Sequence, residues 1–111
     1  FGMTISELST AVQYGINTIT IVMNNNSWGA EKAYQKDFFG KRYIGADITS
    51  PPFDKVAELY GAKGIKVKKI SEIHEAVEVA LNCNKPAVID VDVDPKALYS
   101  FRRDSFKHRI K

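Results

Sequence analysis

The chain has 111 residues, 44% of them hydrophobic, and a formal net charge of +3 from 16 Lys and Arg against 13 Asp and Glu. That length and apolar content fit one small globular domain with a modest core, and so mild a charge excess argues against nucleic acid as a partner. No apolar run approaches the roughly 20 residues a membrane-crossing helix needs, and no signal-peptide succession, repeat or low-complexity segment is found.

The lone Cys83 cannot close an internal disulfide, so a reducing, cytoplasmic setting is expected, with no membrane partner. Because a helix signal follows Phe1 almost at once, the chain is expected to be a piece of a longer protein.

Thr4-Ile5-Ser6-Glu7 has capping-box spacing, and Ile5, Leu8, Ala11 and Val12 recur at helical intervals. This predicts a helix over residues 6–14, closed by Gly15 in the left-handed conformation. Residues 18–23 are then a short β-branched and apolar run, the pattern of a strand buried on both faces of a sheet. Three asparagines, Asn24 to Asn26, end it abruptly. Asn is a poor strand former, but its amide oxygen can ligand a hard cation. Open parallel sheets place their ligands beyond the carboxyl ends of the strands, so Asn24 to Ser27 is the first place to look for chemistry. Gly29-Ala30-Glu31-Lys32 opens a second helix expected to reach about Asp37, whose first amides and positive dipole end suit phosphate.

Residues 38–52, with Gly40, Gly45 and the Pro51-Pro52 pair, read as a surface loop. Phe53, Val56, Ala57 and Tyr60 share one face of a third helix stopped by Gly61, and residues 65–68 predict a short strand. Ser71 is read as the cap of a fourth helix whose buried stripe is Ile73, Ala76, Val77, Ala80 and Leu81. His74 falls off that stripe as an ordinary exposed residue, with no partner carboxylate indicated by the sequence. Residues 86–92 predict the last strand. Its Asp90 and Asp92 alternate with apolar neighbours and read as carboxylates facing solvent rather than as a metal pair.

The order helix, strand, helix, helix, strand, helix, strand predicts an α/β fold, a partial doubly wound parallel sheet with helices on both faces. Residues 1–94 would form the domain and 95–111 a basic tail. In that tail Arg102 and Arg103 offer paired forks that match phosphate or sulfonate oxygens, while His108 belongs to a solvated end.

Glu7-Leu8-Ser9-Thr10-Ala11, followed by an apolar strand and Asn24-Asn25, resembles the second half of the thiamine diphosphate signature. The first half, Gly-Asp-Gly, would fall just before Phe1. On this resemblance the chain is identified as a member of the thiamine diphosphate-dependent enzymes. It is similar to the C-terminal, pyrophosphate-binding domain of the pyruvate decarboxylase and acetolactate synthase group, with the first strand truncated. Residues 1–12, Trp28-Gly29-Ala30-Glu31-Lys32, Gln35-Lys36-Asp37-Phe38 and Phe101-Arg102-Arg103-Asp104 resemble the branch of acetyltransferases acting on sulfoacetaldehyde.

The resemblance implies thiamine diphosphate held through Mg²⁺, with the Asn25 side chain and the Ser27 backbone carbonyl as metal ligands. Asn24 would hold the turn, and the amides of Gly29 and Ala30 would meet the phosphates. If the register slips by one, Asn26 takes the place of Asn25. Glu31 would face the reacting substrate and relay protons, and Arg102 and Arg103 would help hold the substrate's anionic group. A further metal ligand, an Asp, and the Glu that activates the cofactor would come from outside this chain.

The implied parent enzyme is a homo-oligomer that turns a small-molecule substrate, sulfoacetaldehyde, with phosphate into acetyl phosphate and sulfite. This segment alone, without the remaining domains, would be inactive and would expose apolar edge surface. The alternatives are an acetolactate synthase or 2-oxo acid decarboxylase, and a non-catalytic α/β interaction module.

Overall fold

The structure is a computed structural model that describes residues 1–100. Its elements follow in the predicted order: α1 (Glu7–Gln13), β1 (Ile19–Asn24), α2 (Gly29–Phe38), α3 (Phe53–Leu59), β2 (Lys63–Val67), α4 (Ile73–Asn82) and β3 (Ala87–Asp92). Short 3-10 turns lie at Gly2–Thr4 and Ile70–Glu72. The strands are all parallel in the order β1-β3-β2, so the last strand in sequence is the middle one in space. The described residues group into a sheet unit, Phe1–Asn24 with Pro51–Val93, and a loop unit built on Asn25–Ser50.

Side chains alternate across a strand, and β3 uses this to feed two cores. On one face Val88 packs with Leu8, Val22, Phe53, Ala57 and Ala62, drawing in α1 and α3. On the other, Ala87, Ile89 and Val91 pack with Val67, Ala76 and Ala80, drawing in α4. The expected helices on both faces are thus present. Each fully buried Val or Ile contributes about 1.5–3 kcal/mol, so the sheet is held chiefly through β3.

β1 corrects the expectation of a strand buried on both faces. It buries Val22 and Asn24, but Ile21 is 46% and Met23 68% exposed. The reason is topological: β1 lies at the edge of the sheet, and the core cluster under α4 reaches only its first residue, Ile19.

Glycine placements hold. Gly15 has φ of 64°, and the amide of Ile16 donates to the Ala11 carbonyl at 2.9 Å, the long bond that closes a left-handed helix end. Gly61 stops α3 at φ of 89°. Gly64 in β2 is a close approach, since a Cβ there would lie 1.9 Å from the backbone oxygen of Asp54 on α3.

Helix starts differ from the spacing-based expectation. No side chain caps α1 at Ser6; the preceding turn takes Thr4, whose hydroxyl donates to the Phe1 carbonyl at 3.3 Å. Ser71 lies inside the turn before α4 rather than at its cap. That turn is closed instead by Glu72, whose carboxylate accepts the amides of Lys68 and Lys69 at 2.9 and 3.2 Å. These bonds hold the Glu72 carboxyl below its ordinary value. Along α4 the stripe is Ile73, Ala76, Val77 and Ala80, whereas Leu81 is exposed. His74 is exposed as expected, but Glu78 one turn on lies 3.3 Å from it.

Candidate functional site

At the carboxyl end of β1, Asn24 is held by β3 and the residue after it in two ways. Its carbonyl accepts the amide of Val93 at 3.1 Å, and its side-chain Nδ2 donates to Asp90 Oδ1 at 3.1 Å. The register pairs Val22 with Asp90 and Asn24 with Asp92, so the Asn24–Asp90 bond is a diagonal contact on one face.

Asp90 corrects the expectation of a solvent-facing carboxylate. It is wholly buried, because β3 is the central strand and position 90 points with Val88 toward the α1 and α3 face. Its second oxygen accepts the amide of Phe53 at 3.1 Å, at the first residue of α3. Pro51 and Pro52 carry no N–H, so Phe53 offers the first donor of that helix, and a carboxylate suits the positive dipole end. Lys66 Nζ lies 3.3 Å from the same oxygen and also bonds Asp92, which is partly exposed. Burial pulls the Lys66 ammonium down, but Asp92 and Asp90 outweigh this and hold it above the ordinary lysine value.

The loop unit begins at Asn25, whose Oδ1 accepts the amide of Ser27 at 3.1 Å. This bond closes an Asx turn, and Asn26 inside it takes the left-handed φ of 52° that Asn tolerates. The turn is tied to residues 46–48 by a bridge: the Trp28 amide donates to the Ala46 carbonyl at 2.7 Å and the Ile48 amide to the Asn26 carbonyl at 3.0 Å. Ser27 Oγ donates to Asp47 at 3.3 Å, and Lys32 bonds the same carboxylate oxygen. The Lys32 hydrogen bond holds the Asp47 carboxyl below its ordinary value, against a weaker opposing effect of burial.

Gly29 and Ala30 form the start of α2, which no side chain of its N-cap residue Trp28 closes. A Cβ at Gly29 would come 2.9 Å from Asn25 Nδ2, so glycine lets the asparagine amide lie against the helix start. Glu31 is exposed on the first turn of α2. Further along, Gln35 clamps Ile44 with both ends of its amide, donating from Nε2 to the carbonyl at 2.9 Å and accepting the amide at 3.0 Å. Arg102 and Arg103 lie outside the described residues.

The structure thus puts Asn25, Ser27, Gly29 and Ala30 in one turn and helix start, with Glu31 beside them, while Asn24 belongs to the end of the sheet. Asn25 Oδ1 spends one lone pair on Ser27 and keeps a second, and with backbone carbonyls it is the hard oxygen donor that a cation such as magnesium takes. Among the described residues no cluster of three or more His, Cys, Asp or Glu is placed to hold a metal. Of two residues that matter, the sequence pattern placed Asp90 wrongly at the surface and gave no sign of Asp47. Only the identity of the central strand could have revealed the first, and a contact twenty positions away the second.

Residues 1–91 match the family described as thiamine pyrophosphate enzyme, C-terminal TPP binding domain. The chain is 30% identical to the sulfoacetaldehyde acetyltransferase of Castellaniella defragrans over its whole length, which is 19% of that protein. It is 38% identical to the acetolactate synthase large subunit of Haemophilus influenzae over 83% of the chain and 16% of that protein. The thiamine diphosphate-dependent 4-hydroxybenzoylformate decarboxylase of Rhodococcus jostii superposes with a TM-score of 0.77 at 29% identity, covering 84% of this chain and 18% of that one.

Proposed function

The chain belongs to the thiamine pyrophosphate enzyme family, as its C-terminal TPP binding domain, and we propose that its β1–α2 turn grips the cofactor's diphosphate through Mg²⁺. The observation that carries this reading is the Asx turn, which fixes the Asn25 amide in a half-buried position directly after the carboxyl end of a parallel strand. Asn25 Oδ1 and the Ser27 carbonyl are the proposed metal ligands, and the fold-back of Asn25 favours it over Asn26. Asn24 anchors the turn to the sheet. The amides of Gly29 and Ala30 take the phosphate oxygens, where the dipole of a ten-residue helix favours negative charge. Glu31, on the same helical turn, is the proposed proton carrier at the substrate.

When bound, thiamine diphosphate supplies the electron sink that this chain's side chains lack. What the chain contributes is grip and orientation of the diphosphate.

For the whole enzyme we favour an acetyltransferase converting sulfoacetaldehyde and phosphate to acetyl phosphate and sulfite, with Arg102 and Arg103 holding an anionic group. Similarity to sulfoacetaldehyde acetyltransferase over the full chain supports it. The similarity to acetolactate synthase at 38% identity favours a second reading, in which pyruvate loses carbon dioxide. A full-length enzyme given each substrate separates them: sulfite with acetyl phosphate supports the first, and carbon dioxide with acetolactate the second. Failure to bind thiamine diphosphate with Mg²⁺ would leave a non-catalytic α/β module.

A further inference from the structure

Asp90 presents a physical puzzle. A fully buried carboxylate is costly to desolvate, and replacing a buried ion pair by well-packed apolar groups is often neutral or stabilising. Val88, which shares its face of β3, belongs to an apolar core, so stability alone gives no reason for a charge at this position. What the carboxylate does supply is direction. When ionised it only accepts hydrogen bonds, so the donors that meet it are forced to present N–H. Asn24 must turn Nδ2 toward Oδ1, Phe53 must bring its amide to Oδ2, and Lys66 neutralises the charge from β2. Three elements are thereby fixed to one point on the central strand.

From this geometry we infer that Asp90 is a positioning residue for the cofactor turn, acting through Asn24. The inference rests on the proposed reading of the Asn25–Ser27 turn as the diphosphate and metal grip. Asn24 is the last residue of β1 and is joined by one peptide bond to Asn25. Asp90 and Val93 together hold its side chain and its carbonyl, and so fix the residue from which the turn departs. Loss of outer supports of a metal ligand typically costs about 10–100-fold in affinity.

The test uses the full-length enzyme and reads the dissociation constant of thiamine diphosphate in the presence of Mg²⁺ by calorimetry. Asp90→Asn keeps the volume but replaces one acceptor by a donor, which then opposes either the Phe53 amide or the Asn24 amide. Its dissociation constant is expected to rise about tenfold or more. The double variant Asn24→Asp with Asp90→Asn reverses the polarity of the bond, and the amide introduced on β3 still has an oxygen for Phe53, so most of the lost affinity should return. Val67→Ala, in the core on the opposite face, lowers the thermal midpoint without touching this network and should leave the dissociation constant at its wild-type value.

Wild-type affinity in a folded Asp90→Asn variant, or a double variant no better than the single one, overturns the inference. So does a Val67→Ala enzyme that weakens cofactor as much as Asp90→Asn, since the effect would then be one of general stability. If Asp90→Asn does not fold, the double variant and Asn24→Ala decide by the same constant, with wild-type affinity in Asn24→Ala counting against. A wild-type enzyme that binds no thiamine diphosphate defeats the reading of the turn itself, an outcome distinct from all of these.

Discussion

The sheet unit and the loop unit are held by different physics. The sheet unit has two apolar cores and, in Asp90, a fully buried carboxylate whose oxygens are both engaged. The loop unit is held by polar contacts near solvent: the Asx turn, the Asp47 pair with Lys32 and Ser27, and the Gln35 clamp on Ile44. Buried contacts are expensive to break because they leave groups unsatisfied, whereas exposed ones exchange with water at little cost. Damage to the sheet unit should therefore appear as lost stability, and damage to the loop unit as lost local order.

The sharpest way to break this contrast is Asp90→Ala, which strands the Phe53 amide and the Asn24 side chain. It is expected to cost about 3–5 kcal/mol, read as a fall in the denaturation midpoint. A loss below about 1 kcal/mol, the worth of an ordinary hydrogen bond, would mean that the carboxylate is not a structural hub. Gly64→Ala should follow at about 3 kcal/mol, because its new Cβ would overlap the Asp54 backbone and force α3 off β2.

Gln35→Ala removes two exposed hydrogen bonds, for about 1 kcal/mol at most. Its main effect should be faster amide exchange and proteolysis around Ile44, with the global midpoint almost unmoved.

Titration sharpens the same contrast with the smallest effects. The Asp47 carboxyl is depressed in the folded chain, so its contribution is present at neutral pH and fades as pH falls through the carboxylate range. Acid should then release Lys32 and Ser27, seen as a shift of the Ser27 amide resonance. Glu72 is depressed in the same way, so acid also loosens the turn before α4. Lys66 is raised, so its contribution is complete below the ordinary lysine value and fades as pH rises through the folded one. Alkali should therefore loosen the Asp90 hub while leaving the Asx turn in place.

Much of this was legible in the residues. Periodicity revealed the seven main elements in order, and Gly15 and Gly61 stop helices where expected because only glycine takes those angles cheaply. The signature from Glu7 to Asn25 resembled the right family. Local spacing failed where a distant partner decides. Thr4 and Ser71 look like caps by sequence, but short turns before the helices claim those positions. Asp90 alternates with apolar residues as a surface carboxylate does, and no local pattern says that its strand lies in the middle of the sheet. The face of β1 left uncovered was hidden for the same reason: an apolar run does not report which flank of a sheet it will occupy.

The position of β3 also dictates timing. β1 and β2 are not neighbours, and each finds its sheet partner in β3, the last of the three strands to leave the ribosome. Pairing therefore waits for residues 87–92, across separations that make loop closure slow. Until then Val22 of β1 and Val67 of β2, both buried in the finished sheet, lack the β3 core they pack against. A nascent chain arrested before Ala87 should bind holdases more strongly than one in which Ala87–Asp92 has also emerged.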